Sequence, residues 1–557
     1  MKMKTKRIIF LLIIACTLLL NSCDEFLDIQ PNNLITGSSL TADNLPALTA
    51  PLYNNVWFDF NDKFYYGLGD GMGYNLYAPY SDYIYPFADL SVTGLTGPLV
   101  SAWSSLYVVV QQSNKVIKSF NESSAEEDVK KRYIAEARFM RSTAYWYLAS
   151  LWGNVIISED PTPLTSNPVV NSNIQKDAFE FAIRDMEFAA KYLPKESVQQ
   201  GRVNCYSAYG MLSRFYLAYS GFVSSNYGEN PNVGTRDQSY LDLAKQAAEK
   251  VINEGSFSLM NNYPDLFKVE NNNNSESMFA FQWVPGLNST TGYGVINTHQ
   301  AYFAYGSEVT GDDAAWGDWT MCPYNMIMEY ETNDTIRRKA TWMGYGDYYP
   351  EINKANGGLL YERNASGNSS TKLNVKKGVV GSNKDNPAIG RMNSALDNYM
   401  LRLAEVYLNY SEAILGNYES TKDATALMYF NDVRTRAGLP AKNSISWEDI
   451  RHERRVEFCM EGRYWYDLLS RAYYKQQEVI NYINQQDRGT IPAYLFSAPN
   501  NLSIDSETDP GSRPVGQANA STFLLPYPES ELIQNPKLEE APVPYEFMED
   551  RITDLFE

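Results

Sequence analysis

Histidine is nearly absent: 557 residues include two, His299 and His452, far apart along the chain. A His-based zinc site or a Ser-His-Asp relay would have to draw on that pair alone, so both classes of chemistry lose weight. Cysteine is almost as scarce. Of five, Cys16 and Cys23 belong to the N-terminal leader region, and Cys205, Cys322 and Cys459 form no C-x-x-C pair. These three are expected to be buried thiols, since Cys205 and Cys459 sit in helical patterns. Basic residues are outnumbered, 47 against 66 acidic, for a formal charge of −19. Nucleic-acid binding needs the opposite sign. Neither a nucleophile elbow nor an H-E-x-x-H motif occurs, and Asp312, Asp313 and Asp318 lack EF-hand spacing. The sequence therefore offers no catalytic residue, no metal site and no cofactor.

Helical periodicity, by contrast, is abundant. In Tyr399 to Gly416, Met400, Leu403, Ala404, Tyr407, Leu408, Ser411, Ile414 and Leu415 recur at helical spacing, with Arg402, Glu405, Asn409 and Glu412 on the other side. This spacing predicts an amphipathic helix ended by Gly416 and packed antiparallel to a second over Asp423 to Ala437. Trp103 to Phe120 with Tyr133 to Trp152 predicts another hairpin, Lys176 to Tyr192 with Asn204 to Ser220 a further one, and Asp237 to Glu254 one more helix. Pairs of roughly 34-residue period suggest tetratricopeptide-like stacking. Glu453, Arg454, Arg455, Glu457, Glu461, Arg463 and Asp467 fall on successive helical turns and read as ion pairs between stacked helices, not as an active centre.

Residues 1–22 join basic Lys2 to Arg7 to apolar Ile8 to Leu20, the pattern of a signal peptide and too short for a membrane span of roughly 20 apolar residues. The leader ends in Leu20-Asn21-Ser22-Cys23, similar to a lipobox, which makes Cys23 the expected lipidation site. Several acyl chains there would anchor stably where one would not. Without Lys2, Lys4, Lys6 and Arg7 the chain has 43 basic residues against 66 acidic, a net of −23. Residues 23–40 read as a tether broken by Pro31, Asn32, Asn33 and Gly37, and Thr41 to Val56 as a first helix.

Aromatic residues are the compositional anomaly, 14% of the chain, and they cluster. Trp57 to Phe87 holds 12 in 31 positions, interrupted by Gly67, Gly69, Gly71, Gly73, Pro79 and Pro86, which predicts loops with some exposed rings. From Ser256 to Arg391 the helical period fades into sequence carrying Trp283, Tyr293, Tyr302, Tyr305, Trp316, Trp319, Trp342 and Tyr345, with one strand expected over Ser277 to Val284. An aromatic face suits the C–H face of a sugar, with amides and carboxylates accepting from its hydroxyls. The candidate ligand-binding arc is therefore Tyr74, Tyr77, Tyr80, Tyr83, Trp283, Trp316, Trp319 and Trp342, with Asn75, Asp82, Asp312, Asp313 and Asp318 as polar partners. For any single ring the competing assignment is core packing.

The stretches "AEARFMRSTAYWYLASLWGNV", "YMLRLAEVYLNYSEAILG", "FNDVRTRAGLP" and "IRHERRVEFCMEGRYWYDLLSRA" resemble, in order, the SusD/RagB family of outer-membrane nutrient-uptake lipoproteins; "NNSESMFAFQW" and "DTIRRKATW" are similar too. The resemblance implies a mainly α fold, a tetratricopeptide-like superhelix of about four helix pairs, the later two drawn from Tyr399 to Ala437 and Trp447 to Arg471. A large irregular subdomain with short strands would sit beside it. Residues 41–255 would hold the first pairs and the aromatic stretch 57–87, 256–391 the ligand-facing insertion, 392–475 the later pairs, and 476–557 a loop-rich end in which Phe523 to Leu538 looks like a closing strand. Asp24, Glu25 and Asp28 after Cys23 resemble a signal for display on the cell surface.

By the same resemblance, the protein would capture an oligo- or polysaccharide at the outer membrane and pass it to a SusC-like TonB-dependent barrel. Two alternatives come from other classes: a RagB-like peptide-uptake lipoprotein or repeat scaffold, and a secreted glycosidase.

Overall fold

The computed structural model describes residues 45–287, 294–311, 315–362, 372–491, 494–496, 504–507 and 514–557. The signal peptide, Cys23, the tether, Tyr293, Asp312 and Asp313 lie outside the described residues.

Among the described residues nine long helices form the frame: α1 (Gly97–Asn121), α2 (Glu127–Trp152), α3 (Gln175–Tyr192), α4 (Cys205–Ser224), α5 (Gln238–Glu254), α6 (Leu403–Leu415), α7 (Ala424–Arg436), α8 (Trp447–Glu457) and α9 (Tyr464–Asn484). Each of α1 to α6 packs on the next in chain order, α8 lies against α6, and α9 returns onto α4. The pairs α1/α2, α3/α4, α6/α7 and α8/α9, with α5 between α4 and α6, make a helical-repeat fold of tetratricopeptide type.

Local chemistry fixes the helix ends. Asn204 closes a capping box with Ser207 at α4, and Ser446 another with Asp449 at α8. The backbone leaves α2 and α6 through Gly153 and Gly416, both at positive φ, where a side chain would be strained. Aromatic rings fill the space between layers: Trp146 of α2 stacks on Phe215 of α4 with centroids 4.0 Å apart and meets Phe179 of α3 at 4.8 Å.

Between α5 and α6 the chain leaves the frame for the insertion. Its strands are short: β1 (Ser277–Phe281), β2 (Trp342–Met343), β3 (Tyr348–Tyr349), β4 (Leu359–Leu360), β5 (Asn374–Val375) and β6 (Asn398–Arg402), paired antiparallel as β1/β6, β2/β5 and β3/β4. The β1/β6 register runs from Ser277 opposite Arg402 to Phe281 opposite Asn398.

Frame and insertion are joined by buried charge. Arg337 reaches Asp334 (2.6 Å), Glu453 (2.5 Å) and Glu457 (3.2 Å), while Arg402 reaches Glu276 (2.7 Å), Glu457 (2.7 Å) and Glu461 (2.8 Å). The acidic and basic run of α8 thus makes structural ion pairs, and it joins the helices to the insertion as well as to one another. Cys205, Cys322 and Cys459 are buried free thiols, as expected, although Cys459 lies in the turn after α8 and not within a helix.

Four local expectations fail for identifiable reasons. Tyr399 to Arg402 is strand, not the first turn of a helix, because β1 takes its backbone hydrogen bonds; the helix begins at Leu403. Thr41 to Val56 is not one helix: Leu45–Thr49 gives way to 3-10 turns where Pro51 removes a donor. Phe523 to Leu538 is a series of turns around the helix Glu529–Gln534, its prolines 526, 528 and 536 being unable to donate to a strand ladder.

Trp57 to Phe87, finally, is not loop throughout but is wound into helical turns at Phe60–Phe64 and Gly67–Met72, with nine of its twelve aromatics buried. Its glycines serve close approach. A Cβ on Gly69 would stand 2.2 Å from the carbonyl of Gly462.

Candidate functional site

Asp70 anchors the aromatic segment. Its carboxylate accepts from the backbone N–H groups of Met460 (2.9 Å) and Gly462 (2.7 Å) and from Asn75 (3.1 Å), and burial pushes its pKa up to about 6. Asn75 in turn accepts from Arg455 at 2.9 Å, so this polar candidate is a buried support for α8. Tyr74 and Tyr77 are fully buried beside it, Tyr74 at a φ of 61° with its hydroxyl donating to the carbonyl of Asp487 at 2.8 Å. These rings pack the core and present no face to a ligand.

The backbone of Tyr77 pairs with Met321 in both directions, N···O 3.0 and 2.9 Å, and this bridge sets residues 78–85 beside 315–320. Two stretches more than 200 residues apart thereby share one surface. Tyr80, 66% exposed, meets Trp319 edge to face at 4.9 Å. Tyr83 meets Tyr302 at 5.1 Å, and Tyr302 meets Trp316, 44% exposed, at 5.5 Å. Tyr83 and Trp319 are half-buried, Tyr302 is buried beneath them, Asp82 is exposed and Asp318 half-exposed. Gly317 allows the bend between the two tryptophans, since a Cβ there would strike the backbone of Phe303 at 2.3 Å.

Cations stiffen the platform. The Lys372 ammonium sits 3.5 Å from the Trp319 ring centre and 3.5 Å from an Asp318 oxygen; burial lowers its pKa and Asp318 opposes that shift. Lys63 lies 5.6 Å over Tyr302 and 5.9 Å over Tyr83, and the Arg391 guanidinium 5.0 Å over Trp316. Sequence reasoning missed Lys63, Lys372 and Arg391, because nothing in their local spacing shows which ring they meet.

The other two candidates are packing residues. Trp342 is fully buried in the core of the insertion. Trp283 is also buried, its indole N–H donating to Asn398 at 2.8 Å, with Phe58 and Phe281 edge to face at 6.4 and 6.2 Å. Neither histidine stands on the platform: His299 is buried against the Asn61 carbonyl (2.7 Å), and burial lowers its pKa, while His452 contacts Glu329 at 2.9 Å.

The site is a set of rigid aromatic faces with carboxylates at its edge, suited to holding a flat, hydroxylated ligand. Known proteins carry the same architecture. A SusD-like protein of Bacteroides ovatus is 40% identical over 97% of this chain and 98% of its own. A crystal structure with xylogluco-oligosaccharide superposes with a TM-score of 0.81 at 40% identity, over 91% of this chain and 100% of that one. The surface glycan-binding protein A of Bacteroides thetaiotaomicron in complex with laminarihexaose shares the fold at 18% identity and a TM-score of 0.66, over 88% and 96% of the two chains. The family described as starch-binding and associating with the outer membrane matches residues 89–217, and the SusD family matches residues 225–543. The chain belongs to the SusD family.

Proposed function

We propose that this protein captures a glycan of the xyloglucan type on the platform of Tyr80, Tyr83, Trp316 and Trp319 without cleaving it. It acts as a lipoprotein anchored through Cys23 on the outer face of the outer membrane and delivers the ligand to a SusC-like TonB-dependent barrel. The observation that carries the reading is the gathering of these four exposed or half-exposed rings on one surface, in a chain 40% identical to a protein solved with xylogluco-oligosaccharide. Open stacking sites bind single glycan segments weakly, and a polymer compensates through repeated contacts.

Calorimetric titration with xyloglucan oligosaccharides, run beside an assay for reducing ends, tests the reading. Binding without release of sugar is expected, with Trp316→Ala and Trp319→Ala each weakening affinity by about tenfold or more. Release of reducing ends would make the protein a glycosidase. Unchanged affinity in both variants would move the ligand off the platform.

A further inference from the structure

A second cleft, of about 500 Å³, opens elsewhere on the insertion, between the turn Tyr263–Phe267, the helix Thr335–Thr341, the β3/β4 hairpin and residues 376–389. Its size falls within the roughly 300–1,000 Å³ of small-ligand sites. None of the platform rings lines it. Phe267, Tyr349, Val380 and Ile389 are buried at its walls, while Ile336 and Tyr348 remain 38% and 45% exposed.

The charge in this cleft runs against that of the chain. Lys268, Arg338, Lys339, Lys354 and Lys376 line it against Glu270, Asp347, Glu351 and Asp385, in a protein where acids outnumber bases 66 to 47. Most of these groups are already committed. Arg338 pairs with Asp347 (2.9 Å to Oδ1), Lys268 with Asp265 (2.7 Å), and Asp385 accepts from the backbone N–H groups of Asn353, Lys354 and Ser382 at 2.8 to 3.1 Å. Lys376, buried at the wall, donates to the Val379 carbonyl at 3.0 Å and lies 3.3 Å from Glu351.

Lys339 is different. Among the described residues it has no ion pair, and its ammonium lies 5.6 Å from the centre of the Tyr349 ring that Lys376 flanks at 5.4 Å. Two ammonium groups therefore lie near one aromatic ring, and among the described residues Glu351 pairs with Lys376 while no carboxylate pairs with Lys339. A half-buried cation beside an apolar wall favours an anion that brings its own flat body.

We propose that this cleft is a second binding site, for a carboxylate-bearing sugar residue of the uronic acid class. The carboxylate lies at Lys339 and Lys376, and the sugar ring lies against the exposed faces of Tyr348 and Ile336. Thr335 and Asn386 at the rim supply partners for hydroxyls, which an aliphatic carboxylate would leave unused.

Titration of the full chain with digalacturonate tests the site, its methyl ester serving as the uncharged control. Saturable binding of the acid is expected, weakened about tenfold for the ester and about tenfold by Lys339→Gln, and reduced in roughly 0.5 M salt. Ile336→Glu, an exposed change that sets a competing carboxylate at the mouth, should weaken binding equally, while Trp316→Ala should leave it intact. Absence of saturation, equal binding of the ester, or wild-type affinity in both Lys339→Gln and Ile336→Glu would each overturn the proposal. Loss in Trp316→Ala with Lys339→Gln unaffected would place the acid on the platform and overturn it too. Xyloglucan binding can survive any of these results, so the two sites fail separately.

Discussion

Asp397 and Glu405 are buried carboxylates within eight residues of each other, and they titrate in opposite directions. Burial pushes Asp397 up to about 7, with a backbone N–H from Trp283 only partly offsetting it. Burial would raise Glu405 as well, but the guanidiniums of Arg214 (2.7 Å), Arg463 (2.9 Å) and Arg454 (3.7 Å) prevail and hold it at about 2. The signs then follow from linkage. The folded pKa of Asp397 lies above the unfolded value of roughly 3.9, so its contribution is complete below that pH and is lost as pH rises through 7. Glu405 contributes above its unfolded value of roughly 4.3 and loses that contribution as pH falls toward 2. Urea unfolding should find Asp397→Asn close to the parent at pH 4 but about 2–4 kcal/mol more stable at pH 8; an equal shift at both would remove the titration argument. Glu405→Gln should cost about 3–5 kcal/mol at pH 7, with the difference shrinking toward pH 2.

The platform residues mark where sequence reading stops at this scale. Tyr77 and Tyr80 lie three residues apart in the same aromatic stretch, yet one is fully buried and the other is the most exposed ring of the site. Composition identifies the stretch, but only the pairing of Tyr77 with Met321 decides which ring turns outward.

At the scale of elements, the helices of the frame were legible because an amphipathic period is written locally and is not altered by what the helix packs on. The β6 strand was not, since Tyr399 to Arg402 continues the apolar spacing of α6 and becomes strand only through β1, more than 100 residues earlier. The turns Phe60–Phe64 and Gly67–Met72 escape the local pattern for a related reason. Their glycines signal breakage by propensity, whereas here they allow two backbones to touch. Gly69→Ala would drive a methyl into the Gly462 carbonyl, where φ is already +66°, and should cost about 3 kcal/mol in thermal or urea unfolding. Gly97→Ala is the control: nothing lies within 4 Å of its added Cβ at the start of α1, so it should be neutral or slightly stabilising. Equal effects in the two would show that the contact with Gly462 does not set the cost at Gly69.

At the scale of the molecule, the repeat frame and the insertion share one electrostatic centre, and Glu457 at the end of α8 is its hub. Its carboxylate faces Arg402 of β6 (2.7 Å), Arg337 of the Thr335–Thr341 helix (3.2 Å) and Arg436 of α7, and these cations outweigh burial to hold its pKa far below the usual carboxylate range. Buried pairs are poor stabilisers in net terms, but breaking one leaves charge without a partner. Glu457→Gln removes one carboxylate partner from three guanidiniums at once, on three elements that belong to both parts of the fold, leaving Asp334, Glu453, Glu276 and Glu461 to balance them. The expected result is a loss of about 3–5 kcal/mol, together with faster amide exchange in Thr335–Thr341, β6 and α7 as a group. The α1/α2 hairpin, held by ring contacts such as Phe120 on Tyr133 at 4.9 Å, should keep its protection. Exchange that rises only around residue 457 would mean the insertion is held to the frame by apolar packing alone. The grouped response would mean the charge centre is what keeps the loops of the aromatic platform in register with the helices that support them.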